Sequence, residues 1–346
     1  MDNVKAYAAY SAETPLAPHS ISRRPLAEGD VHISIDYCGV CHTDIHFAQN
    51  DFGNTIYPVV PGHEIIGRVV AVGASVKKFK PGNLVGVGVI VDSCHHCSAC
   101  DQGQEQFCEE GMTTAYNSPD KISGGVTYGG YSTDIIVDHQ SVLSVSEQLD
   151  AKAAAPLLCA GITTYAPLKR FAVQPGDRVG IIGLGGLGHM GVKFALAMGA
   201  YVVMITSSEK KAADAKRLGV HEVLLSSDHE AMQKQANSFD LLLNTIPAEH
   251  DFSAYVNLLK INKTMIVVGI TPLTMHSSCL IFGQKQVVGS LIGGIPETQE
   301  MLDFCAQHNI TSDIELIDIK DINQAYERIN NGEVMYRVVI DMNSLR

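Results

Sequence analysis

Residues Arg178-Val179-Gly180-Ile181-Ile182 form an apolar run that leads into Gly183-Leu184-Gly185-Gly186-Leu187-Gly188 and then a helical pattern ending near Met198. A bare G-x-G-x-x-G match is weak, but a strand before it and a helix after it are the context the dinucleotide fingerprint requires. The first glycine allows a tight turn and the second lets a pyrophosphate approach the backbone. The third packs helix on strand, and the helix N-terminus attracts phosphate. A glycine-rich turn without a ligand is the plainer alternative. Further short apolar runs follow at Tyr201–Thr206, Glu222–Leu225, Phe239–Asn244, 265–269 and 287–291. Helical patterns fit at 188–198, 209–218, 228–236 and 251–259. This alternation of buried strands with helices predicts an α/β, doubly wound parallel sheet.

The next strand bears on the cofactor. An NAD site wants an acid roughly 20 residues on, to hold the ribose 2′-hydroxyl. Here the strand ends Ile205-Thr206-Ser207-Ser208-Glu209-Lys210-Lys211. Hydroxyls and lysines suit an additional 2′-phosphate, which an acid would repel. Glu209 falls at a plausible helix start, where a carboxylate is favourable for its own reason. Lys210 and Lys211 could equally be a solvated helix face. The reading favours NADP(H), with Thr206, Ser207, Ser208 and Lys211 as its contacts.

Residues before about 150 read as mostly β. Alternating runs occur at 31–35, 68–72 and 134–137, punctuated by Pro61-Gly62, Pro81-Gly82, Gly124-Gly125 and Gly129-Gly130. The tail reads as helices at 297–308 and 321–330 and a strand at 336–341. Periodicity does not show where this tail packs. No repeat or low-complexity linker separates the parts.

Cys94, Cys97, Cys100 and Cys108 form a C-x2-C-x2-C-x7-C array. Four thiolates at this spacing can wrap one tetrahedral zinc, and four ligands close its coordination sphere, which is the mark of a structural site. An iron–sulfur cluster is the rival, but the last gap is too long and no proline follows the last cysteine. Four ordinary core cysteines fit poorly in so polar a stretch. A second group comprises Cys38-Gly39-Val40-Cys41-His42-Thr43-Asp44 and Gly62-His63-Glu64-Ile65-Ile66-Gly67. Alone, His63 could be a turn histidine and Cys38/Cys41 a redox pair, although no thioredoxin-like unit follows. Together they suggest an open zinc site of one Cys, one His and a distant second Cys, with a position left for substrate.

Composition narrows the partners. Lys+Arg number 25 against Asp+Glu 37, a net charge of -12, which disfavours nucleic acid and anionic membranes. Nine cysteines, an odd count in a long chain, argue against a secreted disulfide framework. Met1-Asp2-Asn3-Val4 lacks the basic start of a targeting segment, and no window approaches the roughly 18 unbroken apolar residues of a membrane span. A reduced, cytoplasmic protein is expected.

In this order, the constellations resemble the zinc-dependent medium-chain alcohol dehydrogenases. The stretch Gly62-His63-Glu64-x-x-Gly67-x5-Gly73-x-x-Val76 matches that family's zinc signature. Thr206-Ser207-Ser208-x-x-Lys211, Pro156-Leu157-Leu158-Cys159-Ala160-Gly161-Ile162-Thr163-Thr164-Tyr165 and Gly289-Ser290-Leu291-Ile292-Gly293 look like its cinnamyl-alcohol dehydrogenase group. The resemblance covers essentially the whole chain. It implies a GroES-like, β-rich catalytic domain from residues 1–153 and 294–346, and a Rossmann domain at 154–293, with the active site in the cleft between them and a homodimer as the common assembly.

Residue by residue, the resemblance implies a catalytic zinc on Cys41, His63 and Cys159, with Glu64 able to approach the metal. Asp44 would orient the zinc-bound histidine. Thr43 and His46 would relay the substrate proton to solvent, and Asp51 would extend the relay. Thr43 could also merely cap a turn, His46 could be an exposed helix residue, and 51–53 could be only a loop. On the cofactor side, His42 resembles a pyrophosphate contact and Thr163 the residue beside the nicotinamide. Gly183, Gly185, Gly186, Leu187 and Gly188 form the fingerprint. Thr245, Val268, Gly269, Ser290 and Ile292 fall at the ends of later strands. Cys38, Cys279 and Cys305 match no ligand position and read as buried small hydrophobes.

The implied activity is interconversion of primary alcohols and aldehydes with NADP(H) and two zinc ions per chain. Plant cinnamyl enzymes place bulky aromatics in the substrate pocket, whereas here Thr113 and Leu291 correspond and the chain has no Trp. A broad aldehyde range is therefore expected. A zinc-free quinone or enone reductase would need neither cysteine group. A zinc ribbon fused to a dinucleotide sensor would need a basic or aromatic surface patch and no open metal site.

Overall fold

The computed structural model describes all 346 residues, Met1–Arg346. The chain divides into two compact units: Met1–Ile162 with Gly293–Arg346, and Thr163–Ile292. The first division falls inside the helix Ala160–Arg170, later than the composition change near residue 150, because an unbroken helix carries no linker signal.

In the central unit six parallel strands lie in the order Glu222–Leu225, Tyr201–Thr206, Arg178–Ile182, Phe239–Asn244, Leu259–Val267, Gln286–Gly289. Two-face burial explains the apolar continuity of the inner strands. Val202, Val203, Met204 and Ile205 are all fully buried, as are Leu242 and Leu243. Strand order reverses between Arg178–Ile182 and Phe239–Asn244, where Ile182 pairs with Asn244 and also with Ile205. Open α/β sheets bind ligands beyond the carboxyl ends of strands at such a switch point. Those ends here are Gly183 and Thr245.

In the terminal unit the sheet runs Ile314–Asp318, Arg337–Asp341, Asp30–Val40, Ile65–Val72, Leu84–Val87, Leu143–Ser144, and Asp134–Asp138 also pairs with Asp30–Val40. Pairing is antiparallel except between Ile314–Asp318 and Arg337–Asp341. The C-terminal tail thus returns to the first domain. Val338 faces Val40, Val339 faces Gly39 and Ile340 faces Cys38. Beneath the sheet, Val31, Ile33, Ile35, Val85, Tyr131 and Val338 form a fully buried core. The pairing sets Arg337 beside the end of Asp30–Val40, from which the chain passes directly to Cys41.

Candidate metal centre and nucleotide crevice

Cys41 is the residue between the strand Asp30–Val40 and the helix His42–Ala48, where it serves as the helix N-cap. Asp44, at the third helical position, accepts the Cys41 backbone N–H at 2.9 Å. Its other oxygen accepts the Gly62 N–H at 3.1 Å and meets His63 Nδ1 at 3.1 Å. One fully buried carboxylate therefore ties together the two segments that carry Cys41 and His63. With Nδ1 held by a carboxylate, Nε2 is the nitrogen that could ligate a metal.

The ligand atoms of Cys41, His63, Glu64 and Cys159 all lie within 4.8 Å of one another. Cys41 Sγ and Cys159 Sγ are 3.9 Å apart. Two sulfurs on one tetrahedral zinc would be separated by about 3.8 Å, given Zn–S near 2.3 Å. The donor set fits zinc. The electrostatics agree: the bond from Cys159, opposed by burial and aided by His63, holds Cys41 well below the usual thiol range. The same bond, with burial, lifts Cys159 well above it. A zinc ion there would take the place of the Cys159 proton and let both sulfurs stand this close as thiolates.

Glu64 is fully buried and ion-paired with Arg337, which donates from Nη2 to Oε1. Oε2 has no hydrogen-bond partner. Burial raises the Glu64 carboxyl to about 7 against the opposing pull of Arg337.

Thr43 and His46 share one face of the His42–Ala48 helix, three residues apart. Thr43 Oγ1 is 3.6 Å from Cys41 Sγ, and His46 Nδ1 meets Asp51 Oδ2 at 2.7 Å. His46 and Asp51 have half-exposed side chains, at 41% and 48%. His42, on the same helix, is exposed.

Cys94, Cys97, Cys100 and Cys108 also bring their sulfurs within 4.8 Å. Cys94 Sγ and Cys100 Sγ lie 3.8 Å apart, again a tetrahedral edge. Backbone N–H groups of Cys94, Cys97 and Glu109 point at the sulfurs of Cys108, Cys94 and Cys97, at 3.4, 3.3 and 3.4 Å. Such donors favour thiolates, and those at Cys97 draw its thiol down to about 6.

In the central unit Gly183 has φ +90, and a Cβ on Gly188 would lie 1.9 Å from Gly183 O. Neither position tolerates a side chain. A Cβ on Gly185, the N-cap of Gly186–Ala197, would meet nothing within 4 Å, so the backbone there is open to an incoming group. Leu187 follows in the first turn, partly exposed. These residues fit a pyrophosphate. Thr245 Oγ1 donates to Ile182 O and Gly183 O at 2.9 and 3.0 Å, which braces the turn from the neighbouring strand. Ser208 caps the helix Glu209–Arg217 by accepting the Lys211 N–H, and Thr206 Oγ1 accepts the Ser208 N–H. Ser207 and the Lys211 side chain remain exposed. Val268 and Gly269 follow the strand Leu259–Val267, and Ser290 and Ile292 follow Gln286–Gly289. Thr163 is buried in the helix Ala160–Arg170.

Thr113 is only 3% exposed and lines a cavity of about 280 Å³ with Arg24, Asp92 and Asp120, and none of the Cys41, His63 or Cys159 positions lines it. Leu291 is 46% exposed. Arg337, Tyr131 and Tyr326 escaped the sequence reading. A lone arginine opening the apolar strand Arg337–Asp341 was the one available sign for the first of them.

Two family models match: "Alcohol dehydrogenase GroES-like domain" over residues 27–147 and "Zinc-binding dehydrogenase" over residues 186–307. The chain is 52% identical to the aldehyde reductase YahK of Escherichia coli (strain K12), covering 99% of each. It is 49% identical to NADP-dependent alcohol dehydrogenase C 1 of Mycolicibacterium smegmatis over 100% of both. Among solved structures, a cinnamyl alcohol dehydrogenase of Sorghum bicolor superposes with TM-score 0.95 at 42% identity, covering 99% of this chain and 98% of that one. A Helicobacter pylori CAD solved with NADP(H) gives 0.93 at 42%, covering 99% of both. A GroES-like domain joined to a Rossmann domain defines the zinc-binding dehydrogenases. The chain belongs to the alcohol dehydrogenases of that family, and it is an alcohol/aldehyde oxidoreductase.

Proposed function

We propose that the chain is a two-zinc, NADP(H)-dependent enzyme that reduces a broad range of aldehydes to primary alcohols. The observation that carries this reading is the cluster of Cys41, His63, Glu64 and Cys159, with His63 fixed by Asp44. A zinc ion held by Cys41, His63 and Cys159 would supply Lewis acidity toward the substrate oxygen, and NADP(H) would supply or accept the hydride. Thr43 donates a proton to that oxygen during reduction and accepts it during oxidation. His46 and Asp51, both reachable by water, refill it. Asp44 keeps His63 in the ligating tautomer. Glu64, held by Arg337, stands beside the metal position as an alternative ligand. Cys94, Cys97, Cys100 and Cys108 hold the second, structural zinc.

On the nucleotide side, Gly183–Gly188 receive the pyrophosphate, and Ser207 and Lys211 receive the 2′-phosphate. Thr206 and Ser208 shape that turn. The strand Gln286–Gly289 is an open sheet edge, and Ile270, Ile281 and Phe282 are 81%, 67% and 88% exposed. These features support a homodimer that covers them. The nine free cysteines fit a reducing cytoplasm. No helix is long and apolar enough to cross a membrane.

Metal analysis of the purified enzyme tests the reading: about two zinc ions per chain are expected. Cys41→Ser should lose one zinc and all turnover of an aldehyde with NADPH. One zinc or none in the wild type, or full activity in Cys41→Ser, would sink it.

A further inference from the structure

We infer that Tyr131 and Tyr326 are positioning residues for the catalytic metal, acting on His63 through Asp44. The inference rests on the metal site proposed above. Asp44 accepts hydrogen bonds from the Cys41 and Gly62 N–H groups and contacts His63 Nδ1. Its Oδ2 also accepts the Tyr131 hydroxyl at 3.4 Å. That hydroxyl in turn accepts from Tyr326 at 3.4 Å. The line therefore runs from the C-terminal helix Ile322–Asn330 through the first domain's core to the ligand.

Burial gives this line its force. Tyr131 is fully buried and Tyr326 is 7% exposed. A phenol hydroxyl in such a place must find a partner, and leaving it without one is costly. Asp44 is the acceptor for the Tyr131 hydroxyl. Its Oδ2 is thereby held by the Tyr131 hydroxyl together with the Cys41 N–H, which leaves Oδ1 turned to Gly62 and His63. Gly62 is equally confined: a Cβ there would lie 2.8 Å from the Tyr131 ring. Tyr131 thus braces the His63 segment by shape as well as by hydrogen bond. Ligand-orienting groups of this kind commonly tune metal affinity.

The C-terminal tail consequently supports the metal site at two points. Tyr326 acts toward His63, and Arg337 acts toward Glu64. A segment that supplies no ligand sets the direction of one ligand and restrains another candidate.

The test is zinc release from the holoenzyme into a colorimetric chelator, read as two phases. His63→Ala assigns the catalytic phase, because that variant should lack it. Tyr131→Phe removes only an oxygen and keeps the ring. It should speed the catalytic phase about three- to tenfold, below the tenfold or more typical of a direct partner. Tyr326→Phe should speed it less, and the double variant no more than Tyr131→Phe. The structural phase should stay at the wild-type rate. The visible band of cobalt placed in the catalytic site should shift in Tyr131→Phe. An unchanged catalytic phase, or equal acceleration of both phases, would overturn the inference while the site stands. A His63→Ala enzyme that keeps both phases would overturn the site reading and the inference with it.

Discussion

Arg337 donates from its guanidinium to the Glu64 carboxylate across 273 positions of sequence, with side chains 7% and 0% exposed. The pair closes the strand Arg337–Asp341 onto the end of Asp30–Val40 that leads to Cys41. A Cβ on Gly39 would lie 1.9 Å from Glu64 Oε2, so the carboxylate fills the space above that glycine. Buried pairs of this kind contribute little over a matched apolar pair, but breaking one leaves an uncompensated charge.

Arg337→Met should therefore destabilise the zinc-loaded enzyme by about 3–5 kcal/mol. The double variant Arg337→Met, Glu64→Gln should recover a good part of that loss. Urea unfolding of the four proteins in the cycle measures both. If the double variant loses the sum of the single losses, Glu64 and Arg337 do not act as a pair.

Zinc uptake at the Cys41 cluster should release protons. Burial opposes protonation of His63, but Asp44 and Cys41 outweigh it and hold its pKa well above the usual imidazole range. Cys159 is likewise held well above the usual thiol range. Both groups carry a proton at neutral pH, and both must lose it to ligate. Affinity should accordingly rise with pH and fall on acidification. Titration of apoenzyme with zinc in buffers of different ionisation enthalpy counts the protons. A pH-independent affinity would contradict the assignment of these two ligands.

What the sequence revealed follows from how far apart the cooperating residues lie. The Cys94–Cys108 array, the Gly183–Gly188 turn and the His63 signature each occupy one short window, so spacing alone expresses their chemistry. Inner strands of the central sheet were legible because burial on both faces leaves a continuous apolar run. The helix Ala160–Arg170 was not, since Pro167 interrupts its pattern and its burial comes from packing. The strand Ile314–Asp318 alternates only weakly against solvent. Arg337 and Tyr326 gain their meaning from partners at Glu64 and Tyr131, and no local period encodes such contacts.

Cofactor choice should turn on Ser207. Ser208 is committed to its helix cap and Thr206 to the turn, so Ser207 is the exposed hydroxyl beyond the second strand. Ser207→Asp would set a carboxylate against a 2′-phosphate while offering the NAD ribose an acceptor. Like charges at contact distance cost about 1 to 4 kcal/mol between water and a protein surface. The kcat/KM for NADPH should fall about tenfold or more, and that for NADH should hold or rise. Parallel losses with both cofactors would show that Ser207 does not face the 2′ position.

The relay residues should differ in weight according to their exposure. On the proposed mechanism Thr43 serves the substrate oxygen directly, beside the Cys41 sulfur at 3.6 Å. Thr43→Val keeps the shape and removes the proton carrier, and kcat should fall by about 10²–10⁴. His46 and Asp51 are 41% and 48% exposed, and solvent can stand in for either. His46→Gln should cost about tenfold or less, and Asp51→Asn less again. Their losses should shrink further when small exogenous imidazole is added, whereas the Thr43→Val loss should not. Steady-state rates with an aldehyde and NADPH, across pH and imidazole concentration, separate these cases. A large, unrescued loss in Asp51→Asn would instead place that carboxylate in direct contact with the reacting groups, which its pairing with His46 Nδ1 at 2.7 Å does not suggest.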